Sequence, residues 1–172
     1  MAIRPILTAP DPRLKAVSQA VETVDAGTRR LIDDMVDSMY EADGIGLAAV
    51  QIGAPQRIIV IDLDQRDGKK NPITYVNPVI TWRSGELATF EEGCLSVPEI
   101  WEDVERAARI KAEYLDRDGK KQLLEADGLL ATCLQHEMDH LEGVLFIDHL
   151  SRLKRSIALR KLQKAKRLKD AG

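Results

Sequence analysis

The sequence predicts an α+β domain, with antiparallel β-sheets packed around a central helix that bears an H-E-x-x-H sequence and a C-terminal helix closing the chain. Three observations lead there. An apolar stripe of helical period comes early, a block of short β-branched runs separated by Gly turns fills the middle, and helical periodicity returns in the last third. Helix, then strands, then helices is the order expected when a helix packs on antiparallel strands.

The first helix runs from Thr28 to Ala42, where Leu31, Ile32, Met35, Val36 and Met39 recur at helical spacing between Asp25 as a start signal and Gly44 as a stop. Four strands are expected next, at Arg57 to Leu63, Ile73 to Trp82, Glu86 to Phe90 and Arg109 to Leu115, because these runs are rich in Ile, Val, Tyr and Thr. Asp67-Gly68, Ser84-Gly85 and Asp118-Gly119 supply the turns between them. After Asp127-Gly128, Leu130, Leu134, Met138 and Leu141 line one side of a second helix that ends at Gly143. A last helix spans about Leu150 to Leu168.

With 172 residues and no Gly/Ser/Pro-rich linker, repeat or low-complexity stretch, the chain is expected to form one domain. Residues 1–150 are expected to carry the catalytic unit, and residues 151–172 a basic helical extension of the same domain. That extension holds nine Lys and Arg against Asp170 alone, a surplus of eight, so residues 1–150 carry −11 of the net −3. No apolar run approaches the ~20 residues of a membrane span, and the N-terminal segment has neither a secretory nor a transit pattern. A cytoplasmic protein with no membrane association and no specific DNA binding is expected. Cys94 and Cys133 could form one disulfide at most, and metal binding or burial suits a cytosolic chain better.

The strongest local signal is His136-Glu137-Met138-Asp139-His140 on the second helix. Four residues are about one turn, so both imidazoles project from one face and can share an ion, with Glu137 beside them as a general base. The bland alternative is a pair of surface histidines, but the chain has only three histidines in all. A catalytic site needs a third protein ligand and an open position for water. Glu142 and His149 lie in or just after the same helix, too close to curl back easily. Cys133 stands seven residues from His140, about 10 Å along a helix axis, so one ion cannot take both with His136. It is read as a buried wall residue. Cys94 remains, after Gly93 and before a strand-like Leu-Ser-Val, although a lone Cys is commonly just a small buried hydrophobe.

Gly44-x-Gly46-x-x-Ala49 fits the permissive form of a dinucleotide-binding fingerprint, which requires a strand before it and a helix after it. An amphipathic helix precedes it instead, and Gly53-Ala54-Pro55 cuts off any helix after Gln51. These glycines better serve an active-site loop that brings backbone close to a ligand and orients Gln51.

Three segments resemble the signature motifs of the peptide deformylase family. They are Gly44-Ile45-Gly46-Leu47-Ala48-Ala49-Val50-Gln51, Glu92-Gly93-Cys94-Leu95-Ser96 and Gln135-His136-Glu137-Met138-Asp139-His140-Leu141-Glu142-Gly143, in the family's order and spacing. Pro10-Asp11-Pro12-Arg13-Leu14 adds to the likeness, which reaches to about Leu150. The resemblance implies a metal-dependent hydrolase that removes the formyl group from the N-terminal formyl-methionine of nascent polypeptides and releases formate. It implies Cys94, His136 and His140 as ligands of one divalent ion, Fe²⁺ physiologically with Zn²⁺ or Ni²⁺ as alternatives in purified protein. Metal-bound hydroxide would be the nucleophile, Glu137 the general base and acid, and Gln51 with the Leu95 N–H the donors to the oxyanion.

The same resemblance implies substrate contacts at Ile45 and Gly46, and a methionine pocket walled by Ile45, Phe90, Leu129, Thr132, Cys133 and the edge of His136. Glu92 would be a structural anchor paired with Arg106. One departure stands out: many bacterial members have an Arg a few residues after Val97-Pro98, where this chain has Trp101-Glu102. A zincin-like peptidase would share H-E-x-x-H but not depend on Cys94, and a metal-stapled module would need four closed ligands. For the basic tail, a solvated helix competes with a polyanion-binding surface, because Leu153, Ile157, Leu162 and Leu168 make only a thin apolar stripe. Ribosome docking through that helix is what the resemblance implies. The tail is also expected to be dispensable for hydrolysis, since every candidate group lies between Gly44 and His140.

Overall fold

The computed structural model describes residues 2–171. Helix α1 (Ala26–Glu41) begins at Asp25, whose carboxylate accepts from the Thr28 N–H and so satisfies one of the free amides of the first turn. Seven strands follow, β1 (Gly46–Ala48), β2 (Ile58–Ile61), β3 (Ile73–Arg83), β4 (Leu87–Cys94), β5 (Val97–Ala107), β6 (Arg109–Leu115) and β7 (Lys121–Asp127). Helices α2 (Gly128–Leu141) and α3 (Arg152–Ala171) close the chain. Among the described residues no helix is long and apolar enough to cross a membrane.

Five strands form an antiparallel sheet in the order β1-β2-β3-β6-β7, and β4 with β5 form a separate antiparallel hairpin. The short strand β2, Ile-Ile-Val-Ile, is buried on both faces. Ile59 and Ile61 pack with Leu134 and Leu141 of α2, whereas Ile58 and Val60 pack with Ile32, Met35 and Met39 of α1. A continuous apolar run is what a strand covered on both sides requires. The α+β class with α2 at its centre is therefore observed.

Three strands are absent from the sequence expectation, β1, β5 and β7, and the expected strand at 86–90 extends to Cys94. Strand β5 carries Glu99, Glu102, Asp103, Glu105 and Arg106 among its inward Val97, Ile100, Val104 and Ala107, and β7 reads Lys-Gln-Leu-Leu-Glu-Ala-Asp. Apart from the buried Arg106, the charged residues of these antiparallel ribbons lie largely toward water, which depresses the local β signal without removing the buried face. Strand β1 is only three residues long and starts in the glycine-rich loop.

A further core cluster joins Ala9, Leu14, Val97, Ile100, Val104, Phe146 and Ile147 to Ala158 and Leu162 of α3. The buried side of α3 thus runs through Ala158 and Leu162, while Leu153, Ile157 and Leu168 of the expected stripe stay exposed. Removal of everything after Leu150 would uncover this cluster, whereas the part beyond Leu162 is free of it.

Candidate metal centre

Helix α2 leaves the sheet directly from β7 and passes its polar face, His136, Glu137 and His140, behind the β4–β5 hairpin. The hairpin keeps regular register from Leu87↔Ala107 to Glu92↔Glu102, then shifts between Glu92 and Cys94, where Cys94 pairs with Val97. An irregularity of this kind bends a strand and redirects the side chain that follows it. Here it delivers the Cys94 thiol to α2. The ligand atoms of Cys94, His136 and His140 all lie within 4.8 Å of one another, with Cys94 Sγ 3.4 Å from His140 Nε2.

The donor set fits a divalent ion. Two imidazoles and one thiol are three ligands, the number that leaves a coordination position for substrate chemistry. His136 Nδ1 lies 2.8 Å from Glu92 Oε1, a contact in which the ring N–H must donate because a carboxylate accepts, so Nε2 carries the lone pair. His140 is fully buried, and burial together with the neighbouring His136 holds its pKa well below the ordinary value, so the ring is neutral and able to ligate. Burial also works against a charged His136, but hydrogen bonds to Cys94 and Glu92 outweigh it and raise its pKa in the metal-free protein. A bound ion and that proton compete for the same nitrogen.

Glu137 is buried beside both rings, its Oε1 3.7 Å from His140 Nε2 and 3.9 Å from His136 Nε2. Burial pushes its pKa up to about 7, with His136 pulling the other way, so it exchanges a proton near neutrality. The loop at Gly44 and Gly46 closes on this carboxylate. A Cβ at Gly46 would stand 2.9 Å from Glu137 Oε2, and one at Gly44 would stand 2.6 Å from Leu95 Cδ1. At Gly46 a side chain would press on the buried Glu137 carboxylate, whereas at Gly44 the tip of the Leu95 side chain could give way. Gln51, in the short 3₁₀ turn after β1, accepts from the Ala48 N–H through Oε1 (2.9 Å). Its Nε2 donates to Ser96 Oγ (2.9 Å) and reaches Cys94 Sγ at 3.6 Å, so the amide is oriented and aimed at the cluster.

Behind His136, Glu92 meets Arg106 in a two-point ion pair of 2.7 and 2.9 Å, buried on both sides. Burial alone would raise the Glu92 pKa, but hydrogen bonds from His136 and Arg106 outweigh it and hold the carboxyl low. Arg106 also donates to Asp139 Oδ2 at 2.8 Å, and His149 Nε2 approaches the same oxygen at 2.8 Å. Ser96, Asp139 and His149 were not assigned roles from sequence. Ser96 and Asp139 lie inside the quoted motifs, whereas nothing local marks His149.

A cavity of about 440 Å³ opens at this cluster, and Ile45, Gly46, Phe90, Leu95, Leu129, Thr132, Cys133 and His136 all line it. Cys133 is a wall residue whose thiol burial pushes up to about 12, which leaves it inert as a ligand. Gln51 and Arg106 lie outside the lining, one beneath Cys94 and the other behind Glu92.

The chain matches the family model for polypeptide deformylase over residues 3–156. It is 53% identical over 171 residues to a peptide deformylase of Rhizobium meliloti, covering 99% of this chain and 98% of that one. To a peptide deformylase of Phenylobacterium zucineum it is 58% identical over 164 residues, covering 95% and 97%. The crystal structure of a peptide deformylase from Legionella pneumophila superposes with a TM-score of 0.92 at 50% identity, covering 99% of each chain.

Proposed function

The chain belongs to the polypeptide deformylase family, and from that premise we propose that Cys94, His136 and His140 hold one divalent ion at which the formyl group is removed. The reaction is hydrolytic removal of the N-terminal formyl group from nascent polypeptides, with formate as the product. The observation that carries the site assignment is the convergence of a thiol from the hairpin and two imidazoles from α2 within 4.8 Å, beside a buried carboxylate.

A divalent ion held there supplies Lewis-acid polarisation of the formyl carbonyl and a lower pKa for the attacking water. The protein does the rest. Glu137, buried beside the cluster, would take a proton from a water whose oxygen bonds to the formyl carbon. The oxyanion that forms is met by the Leu95 N–H and by the Gln51 amide, which Ala48 and Ser96 hold in place. Glu137 then returns the proton to the amine as the carbon–nitrogen bond breaks, leaving formate and a free N-terminal methionine. Ile45 and Gly46 hold the substrate backbone, and Phe90, Leu129, Thr132, Cys133 and the edge of His136 receive the methionine side chain. Glu92 and Arg106 hold the His136 ring.

The physiological ion is Fe²⁺, with Zn²⁺ or Ni²⁺ taken up in purified protein. Intrinsic affinity favours Zn²⁺, so ligand chemistry alone does not select iron, and the Cys94 thiolate makes the iron form prone to oxidation. Protein loaded with Fe²⁺ under anaerobic conditions is expected to release formate from a formyl-methionyl peptide faster than the Zn²⁺ form. A Zn²⁺ form of equal rate would overturn the choice of iron, and no formate from either would overturn the assignment of the site.

The protein acts in the cytoplasm, with residues 1–150 as the catalytic part and α3 as a ribosome-facing extension. Support comes from its nine Lys and Arg against Asp170, with Ala158 and Leu162 buried in the core and Leu159 packed against it. Truncation after Gln163 removes Lys164, Lys166, Arg167 and Lys169 and spares the buried pair. Peptide turnover should be unchanged, while ribosome binding weakens and its salt dependence flattens, because each lost phosphate contact releases fewer counterions. Unaltered, salt-insensitive ribosome binding by the truncated chain would sink the electrostatic role.

A further inference from the structure

His149 lies outside the catalytic cavity, yet it ends a chain of contacts that begins at His136. His136 Nδ1 donates to Glu92 Oε1 at 2.8 Å, and Glu92 accepts from Arg106 at 2.7 and 2.9 Å. The remaining arm of Arg106, Nη1, donates to Asp139 Oδ2 at 2.8 Å, and His149 Nε2 meets that same oxygen at 2.8 Å. A carboxylate only accepts, so His149 Nε2 carries a proton and donates it. The Asp139 side chain makes no further hydrogen bond among the described residues, so its orientation depends on Arg106 and His149 alone.

The short turn that carries His149 also touches His136 directly. It is a 3₁₀ turn, Phe146–His149, and the buried Phe146 ring stacks on the His136 ring with centroids 5.9 Å apart and planes at 26°. Asp148 fixes the turn, accepting from the Leu145 N–H at 2.9 Å and pairing with Arg155 of α3 at 3.2 Å. The His149 side chain is itself 41% exposed, so core packing does not account for its place. With Asp139, Gln135, Met138 and Glu142 it lines a second, polar cavity of about 370 Å³, formed by a face of α2 that takes no part in the catalytic cavity. We propose that His149 is a positioning residue for the metal centre: by fixing Asp139 it holds the Arg106 guanidinium against Glu92, and so keeps the His136 ring turned with Nε2 toward the ion. Groups that orient a ligand from behind set how well the ligand binds, and this chain extends that control to a residue at the surface. The proposal rests on the assignment of Cys94, His136 and His140 as the ligands.

The test titrates the metal-free full chain with Co²⁺ against a competing chelator and records the visible absorption of the Co²⁺ form. Wild type is compared with His149→Phe, which keeps a flat ring but donates nothing, and with His149→Gln, whose amide N–H takes the place of Nε2–H. His149→Phe is expected to bind Co²⁺ about three- to tenfold more weakly, the range of one hydrogen bond, with a shifted Co²⁺ spectrum. His149→Gln should restore most of the affinity and the wild-type spectrum. In an Asp139→Ala background the further change His149→Phe should have no effect, because the path runs through Asp139. Wild-type affinity and spectrum in His149→Phe would overturn the proposal. Equal losses in the Phe and Gln variants would mean that the ring only fills space and would also overturn it, as would an undiminished loss in the Asp139→Ala background. Absence of a thiolate-to-cobalt absorption band in wild type would instead count against the ligand set itself.

Discussion

Replacing Cys94 with alanine is expected to strip the ion and to lower formate release from formyl-methionyl peptides by on the order of 10³-fold or more. The ion's charge stabilisation is worth several kcal/mol, and each 1.36 kcal/mol is a factor of ten in rate. The remaining pair, His136 and His140, cannot complete a three-ligand catalytic site. Cys133 offers no substitute because its thiol is held far up in pKa against the opposite wall. Metal content by elemental analysis and formate release should therefore fall together, while the fold persists, since Cys94 is only partly buried at the hairpin end. The same substitution separates this site from a zincin-like one. A Cys94→Ala protein that kept its ion and its rate would place the third ligand elsewhere.

The helical half of the site was legible because its information is local. His136, Glu137 and His140 sit on one turn of α2, and a spacing of four residues puts their side chains on one face whatever the rest of the chain does. Cys94 was not legible in that way. Its approach to His140 across 46 residues depends on the register shift after Glu92, and no periodicity in the sequence encodes a bulge. Only the likeness of the Glu92–Ser96 segment to a known motif singled it out.

The ion-pair chain behind His136 draws on β4, β5, α2 and the turn after it, with Glu92, Arg106, Asp139 and His149 brought together by tertiary packing. Nothing local in the sequence marks Arg106 as buried, and only the family resemblance paired it with Glu92; it is buried because Glu92 and Asp139 neutralise it. Leu162 is the one member of the expected stripe that is buried, whereas Ala158 was obscured for a different reason: an alanine contributes little to an apolar stripe in sequence, yet it lets a helix approach closely.

Glu137→Ala is expected to retain the ion at wild-type stoichiometry and to lose about 10²- to 10⁴-fold in kcat, the usual worth of a positioned acid–base group. Glu137 contributes no ligand atom to the cluster, whose members are Cys94, His136 and His140, so its loss should leave metal content intact. Glu137→Gln keeps the size of the side chain against Gly46 and should be as slow, which separates proton transfer from packing. Wild-type activity should fall on the acid side of neutrality as Glu137 takes up its proton, and a bound cation would shift that limb to lower pH. Linkage gives a second check in metal-free protein. Burial raises the folded-state pKa from an ordinary 4.5 to about 7, so the folded form binds the proton more tightly than the unfolded one. The stability associated with Glu137 is then present below pH 4.5 and is lost as pH rises through about 7. Metal-free Glu137→Gln should lack that decline in its pH–stability curve. Loss of the ion in either variant, or a pH–stability curve identical to that of the wild type, would remove Glu137 from the role of proton carrier.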